Sequence, residues 1–161
     1  MKKVLKSLKD TKKFAEEFLQ MALGGDRERN VVLLQGELGA GKTTFSQFLL
    51  ETIGAEGPFT SPTFVIMKKY NLRNDKKQKS NGYYHTTVHS GVESIYHLDC
   101  YRVDEESVLD LGWEEIITDK NNLVLVEWPE KIKNIWPKKY WLLKFEYGET
   151  ESGRVIEVIR N

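Results

Sequence analysis

The sequence predicts an α/β domain in which a mixed, mostly parallel sheet is flanked by helices. Three observations predict it. First, residues 36 to 44 read Gly36-Glu37-Leu38-Gly39-Ala40-Gly41-Lys42-Thr43-Thr44, a complete G-x-x-x-x-G-K-[ST] phosphate-binding loop. Second, the apolar run Asn30-Val31-Val32-Leu33-Leu34-Gln35 precedes the loop, and Phe45, Phe48, Leu49, Thr52 and Ile53 follow it at helical spacing up to Gly54. Strand, loop and helix is the order such a loop requires. Third, Leu123-Val124-Leu125-Val126-Glu127 describes a buried strand that delivers a carboxylate at its carboxyl end, where ligands bind in open α/β sheets. Together they predict a P-loop NTPase-like fold, and 161 residues fit a single domain, 1 to 161.

The other elements follow in order. Ser7 to Leu23 reads as a helix: Phe14, Ala15, Phe18, Leu19 and Ala22 form one apolar stripe, Asp10 or Thr11 is the expected cap, and Gly24-Gly25 the stop. Gly54 to Pro62 is a connector rich in turn residues. Thr63 to Tyr70 is a candidate strand with Phe64, Ile66 and Lys68 on one face. Asn71 to Glu93 is polar, with turn signals at Asn81-Gly82 and Ser90-Gly91, and reads as a loop or hairpin insertion that adds little to the core. Ser94 to Tyr101 is a strand, Asp104 to Ile117 a helix interrupted near Gly112, and Asn122 to Val126 a strand. Trp141 to Tyr147 and Val155 to Ile159 are two more, separated by a polar turn.

The loop chemistry is specific. Its backbone N–H groups wrap a phosphate, Lys42 reaches the β- and γ-phosphate oxygens, and the Thr43 hydroxyl ligates Mg²⁺. Transfer or hydrolysis also needs an acid to organise the metal and a group to place the nucleophile. Glu127 is the candidate for the first. Period two puts His97, Asp99 and Tyr101 on one face, where a carboxylate binds Mg²⁺ through water or orients an attacking water. A strand-end surface patch is an equal reading of those residues taken alone. Thr60-Ser61-Pro62-Thr63 offers switch-loop hydroxyls, although by itself it reads as a simple turn. His85 and His89 are four apart but lack a third ligand, and Cys100 beside Asp99 reads as buried filler.

Composition excludes some classes. Lys plus Arg and Asp plus Glu are both 24, so global charge names no partner. No apolar stretch approaches the ~20 residues of a membrane span, and the first residues lack the apolar core of a signal peptide. With Cys100 as the only cysteine, no internal disulfide forms and a cytoplasmic protein is expected, without a membrane or DNA partner. Local charge is uneven: residues 68 to 79 are basic and residues 104 to 119 acidic. Both read first as solvated surfaces, and the basic run also suits RNA phosphates.

The assembled motifs resemble the TsaE (YjeE) family of small bacterial ATPases required for threonylcarbamoyladenosine formation in tRNA. The resemblance is carried by Ser7-Leu8-Lys9-Asp10-Thr11, the phosphate loop, Ser61-Pro62-Thr63-Phe64, His97-x-Asp99-x-Tyr101-Arg102 and Glu127-Trp128-Pro129-Glu130. It implies ATP and Mg²⁺ as cofactors. It implies that Thr11 lies near the base, that Gly39, Ala40, Gly41, Lys42, Thr43 and Thr44 hold phosphates, and that Ser61 and Thr63 form a switch. Thr43 and Glu127 would organise Mg²⁺ with Asp99 nearby, Lys42, Asp99 and Glu127 would be catalytic, and Trp128 would lie close to the nucleotide. Arg154 loosely matches a C-terminal basic position of the family. The implied partners are TsaD and TsaB, with tRNA reached indirectly through their complex, and the implied role of hydrolysis is to license or reset that complex. The chain departs from the family at Asn71 to Glu93, where the usual connection is short. Its basic residues, with Tyr83 and Tyr84, suggest contact with tRNA or an acidic partner.

Other functions remain open to these residues. A P-loop small-molecule kinase would use the basic insertion as a lid over an acceptor. A GTP switch would need an N-K-x-D element, which the sequence lacks. A structural nucleotide-binding subunit would not need an intact Lys42, Thr43 and Glu127.

Overall fold

A computed structural model of the chain describes residues 1–24, 28–72 and 91–161. Among them, seven strands form one sheet in the order β1-β7-β6-β2-β5-β4-β3. The strands are β1 (Lys2–Leu5), β2 (Val31–Gly36), β3 (Met67–Asn71), β4 (Ser94–Asp99), β5 (Asn122–Glu127), β6 (Trp141–Tyr147) and β7 (Arg154–Arg160). The central four, β6, β2, β5 and β4, pair in parallel. β3 and β7 pair antiparallel at their flanks, and β1 antiparallel to β7, so five strands run one way and two the other.

Alternation along β2 explains its continuous apolar run. Val32 and Leu34 face one core layer, and Val31 and Leu33 the other. A strand covered on both faces has no polar side to display. The first layer packs under α1 (Leu8–Leu23) and α2 (Lys42–Ile53). Phe45 is its hub, with ring centroids 5.8 Å from Phe14, 5.8 Å from Phe18 and 5.6 Å from Phe145, and Trp141 closes edge-on against Phe18 at 5.6 Å. The second layer packs under α3 (Glu105–Leu109), α4 (Trp113–Thr118) and the 3₁₀ segment Pro129–Ile135. Among the described residues no helix is long and apolar enough to cross a membrane.

Several local expectations are corrected. The cap of α1 is Ser7, not Asp10 or Thr11: Ser7 Oγ accepts the Asp10 N–H at 3.2 Å, while the Asp10 carboxylate accepts the Lys6 N–H at 2.9 Å. Hydroxyl and carboxylate thus satisfy backbone donors reciprocally, as in a capping box. The strand expected over Thr63 to Tyr70 begins only at Met67. Residues 63–66 are turn and bend, Ile66 has φ 64°, and Phe64 projects into solvent. The apolar residues there do not mark a buried strand face. Tyr101 lies in the turn beyond β4 and is exposed. The helix over 104–117 breaks as expected at Gly112, whose φ of 81° starts α4. β1 and the 3₁₀ segment had no expectation. Both ends of the expected insertion belong to the fold: Asn71 ends β3, Leu72 bridges Ala55, and Val92 is buried. The rest of it, residues 73–90 with Tyr83, Tyr84, His85 and His89, lies outside the described residues.

Candidate active site

Register brings the chemistry together. β2 and β5 pair Leu34 with Glu127, and β4 and β5 pair Asp99 with Glu127. Three parallel strands therefore end at one edge, where β2 passes into the phosphate loop. Gly36 begins that loop with φ 152°, and a Cβ there would sit 2.5 Å from the Phe145 carbonyl oxygen. The glycine is required by contact with β6. Gly41, at φ 99°, is the N-cap of α2, and the first N–H groups of a helix make a ready anion site.

Thr43, on the first turn of α2, donates its hydroxyl proton to Glu127 Oε2 at 2.7 Å. The other carboxylate oxygen, Oε1, lies 2.8 Å from His97 Nε2. Both side chains of that pair are almost fully buried, 1% and 2% exposed. Asp99 accepts the Tyr101 N–H at 3.0 Å on Oδ1 and the Thr63 hydroxyl on Oδ2. Thr63 Oγ1 is also 2.6 Å from Ser61 Oγ. The hydroxyl loop is thereby joined to the strand-end acid. A carboxylate accepts about four hydrogen bonds, so Asp99 and Glu127 each keep capacity for water or a cation.

Lys42 is folded back into the loop. Its ammonium donates to the Gly36 and Glu37 carbonyls at 2.6 and 2.9 Å and lies 3.9 Å from the centre of the Trp128 ring. Trp128 reaches it through a left-handed backbone, φ 57°, and packs on Tyr101 with centroids 4.9 Å apart. Ile66 and Trp128 are the only non-glycine residues of positive φ among the described residues, and both border this site. Such conformations cost about 1–3 kcal/mol each and persist where surrounding structure imposes them. Burial holds the Lys42 ammonium below its ordinary range, opposed by the charges of Glu127, Glu130 and Asp99.

Two cavities meet at the loop. One, of about 540 Å³, opens between α1, β7 and the loop, with Leu5, Leu8, Thr11, Phe145, Arg154 and Ile156 in its wall. The other, about 440 Å³, includes Lys42, Thr43, Thr63, Asp99, Glu127 and Trp128. Gly39, Gly41 and Thr44 line both.

The family model described as "Threonylcarbamoyl adenosine biosynthesis protein TsaE" matches residues 5–156. The chain belongs to the TsaE family. It is similar to proteins named "tRNA threonylcarbamoyladenosine biosynthesis protein TsaE" from several bacteria. The Haemophilus influenzae protein is 30% identical over 148 residues, covering 91% of this chain and 81% of that one. The Rickettsia prowazekii protein is 37% identical over 133 residues, covering 81% and 76%. Among solved structures, Bacillus subtilis YdiB superposes with a TM-score of 0.67 at 27% identity, covering 97% of this chain and 82% of that one.

Of the residues to which the TsaE resemblance gives a role, the second cavity collects Gly39, Gly41, Lys42, Thr43, Thr44, Thr63, Asp99, Glu127 and Trp128. Thr11 and Ala40 line the first. Ser61 stands one hydroxyl behind Thr63. Arg154 serves the loop's backbone: its guanidinium donates to the Ala40 and Gly39 carbonyls, both at 3.1 Å, and to Glu151 and Gly153 at 2.8 and 2.6 Å. Arg102 and His97 lie within the H-x-D-x-Y-R motif, which by itself assigns neither a role. Arg102 lines the second cavity, and the alternation of His97 with Asp99 was the signal that could have placed the imidazole beside Glu127.

Proposed function

We propose that this chain is an ATP-binding and ATP-hydrolysing accessory protein of tRNA threonylcarbamoyladenosine biosynthesis, acting on a TsaD–TsaB complex. Membership of the TsaE family and the names of its relatives support the pathway. The observation that carries the activity is the hydrogen bond from Thr43 of the phosphate loop to Glu127 at the end of β5. It joins the phosphate-binding half of the site to its acidic half.

The two cavities suit one nucleotide. The apolar wall of the first, with Thr11 at its edge, takes the base; the shared glycines take the phosphates; the second cavity takes the terminal phosphate. The donor set fits Mg²⁺: hard oxygen donors from Thr43, Glu127 and Asp99 converge there. Among the described residues no cluster of three His, Cys, Asp or Glu forms a complete protein cage. Mg²⁺ with ATP is held by few protein ligands plus phosphates. Thr43 and Glu127 would hold the ion, with Asp99 alongside, and the ion would neutralise phosphate charge. Lys42 leaves the Gly36 and Glu37 carbonyls for the phosphates, and the loop's N–H groups bind them. Asp99 uses its remaining acceptor capacity to orient water.

Partner action is supported by the rim. Leu38, Phe64 and Val65 are 73%, 88% and 55% exposed, and Phe64 is next to Thr63, which bonds Asp99. A partner that buries this rim orders the hydroxyl loop at the same time. The test is phosphate release from ATP by the purified protein, with and without TsaD–TsaB, followed by tRNA modification by the complete set. Hydrolysis stimulated by the heterodimer is expected. Failure to hydrolyse ATP in either condition, or transfer of the γ-phosphate to a small molecule, overturns the reading.

A further inference from the structure

We propose that His97 is the positioning residue for Glu127, holding its carboxylate in the orientation that turns one oxygen toward the phosphate loop. The inference rests on the functional reading above. Its physical basis is a bracket around one buried carboxylate. Oε1 is taken by His97 Nε2 at 2.8 Å, and Oε2 by the Thr43 hydroxyl at 2.7 Å. Glu127 ends β5 and is only 2% exposed, so its carboxylate is held by hydrogen bonds rather than by solvent. With Oε1 bound behind it, the group presents Oε2 toward α2 and the cavity.

His97 is suited to this by its place in the sheet. It sits in the middle of β4, paired with Leu125 on one side and Lys68 on the other. Only 1% of it is exposed, so its ring is fixed by packing. Its Nδ1 is buried and has no hydrogen-bond partner among the described residues. An apolar core position filled by histidine, with one nitrogen left unpartnered, is costly unless the other nitrogen does something an apolar side chain cannot. The tautomer with hydrogen on Nε2 satisfies this geometry: it donates to Glu127 and leaves Nδ1 a bare acceptor rather than a stranded donor. Oriented carboxylates beside metal or phosphate sites commonly owe their direction to such a second hydrogen bond.

The test compares His97→Leu and His97→Gln with the unsubstituted chain. Gln can offer an N–H where Nε2 stood; Leu fills the space without a donor. Measured are kcat, KM for ATP, the Mg²⁺ concentration giving half-maximal rate, and the thermal midpoint. His97→Leu is expected to lower kcat at least tenfold and to raise the half-maximal Mg²⁺ several-fold, with KM for ATP within about twofold. His97→Gln is expected to recover most of the lost kcat. A folded His97→Leu protein with unchanged kcat, or a folded His97→Gln protein no better than Leu, overturns the proposal. A second readout does not need turnover or a stable leucine variant. ¹⁵N spectra of the three histidines, assigned with His97→Gln, should show hydrogen on His97 Nε2 and a shift of that signal in Glu127→Gln. Hydrogen on Nδ1, or no response to Glu127→Gln, overturns it. Absence of ATP hydrolysis by the unsubstituted chain defeats the functional reading instead, and leaves the spectra to decide the His97–Glu127 relation.

Discussion

Thr43 and Glu127 are separated by 84 positions in the chain and by 2.7 Å in the fold. One stands at the start of α2, the other at the end of β5. Their hydrogen bond makes the phosphate loop and the acidic strand end a single unit. Its consequences can be measured.

Lys42→Ala should lower hydrolysis by about 10²–10³-fold or more, the scale on which removing one preorganised charge-stabilising donor acts. It should also weaken ATP binding. The fold should survive, because among the described residues the ammonium contacts loop carbonyls and one indole. The checks are steady-state phosphate release and ATP titration on the folded variant. Unchanged hydrolysis would sink the phosphate-loop reading.

Glu127→Ala and Asp99→Ala should each reduce kcat more than they reduce ATP affinity. In the proposed function, backbone N–H groups carry phosphate binding, whereas these acids would act on cation and water. Paired measurement of kcat and ATP affinity separates the two effects. A variant that turns over normally removes its residue from the proposed roles.

Phe64→Ser should leave basal hydrolysis within about twofold and reduce stimulation by TsaD–TsaB severalfold. The ring is 88% exposed, with the Arg102 guanidinium 5.9 Å from its centre, and aromatic anchors dominate protein interfaces. Hydrolysis titrated with the heterodimer reads the difference. Full stimulation of the variant would remove Phe64 from the docking rim.

Cys100 is pushed up from its ordinary 9.0 to about 12, by burial first and then by the charges of Asp99 and Glu130. The unfolded chain therefore loses this proton near pH 9, the folded chain near pH 12. Between those values the folded state binds more protons, so this group's contribution to stability falls as pH rises. It is fully present below pH 9. The slope is at most about 1.4 kcal/mol per pH unit. Urea unfolding at pH 8 to 11 should show a steeper loss for the unsubstituted chain than for Cys100→Ala. Native Cys100 should also resist iodoacetamide at pH 8 and react on unfolding. Parallel pH profiles and fast native alkylation would contradict the burial.

Phe18→Ala should cost about 3–5 kcal/mol, because the ring is fully buried between Phe14, Phe45 and Trp141 and leaves a cavity when removed. For a chain of this size the melting midpoint should fall by about 6–20 °C. Calorimetry gives both values. A loss under 1 kcal/mol would mean that the aromatic layer collapses around the gap.

Much of the fold was legible because its period was strong. β2, β5 and β6 are apolar runs of the right length, and the stripe on α1 repeats with the helix. β1 escaped notice because four residues carry too little pattern, and its partner β7 lies at the other end of the chain. The apparent strand over 63–66 was misread because Phe64, Val65 and Ile66 are apolar and β-forming. Nothing local says that Phe64 points at solvent or that Ile66 turns left-handed.

By itself the sequence determined the phosphate loop, the strand and helix on either side of it, and the acids at two strand ends. These are local: glycine spacing, a cation and a hydroxyl at adjacent positions, apolar runs that stop at a carboxylate. Tertiary structure alone decided that Asp99 and Glu127 stand in register, that His97 takes the rear oxygen of Glu127, and that Arg154 holds the loop by its carbonyls. Those relations join positions tens to more than a hundred residues apart. They depend on which strands become neighbours, and that choice belongs to the packing of the whole sheet, because no short segment can bury its own apolar face alone.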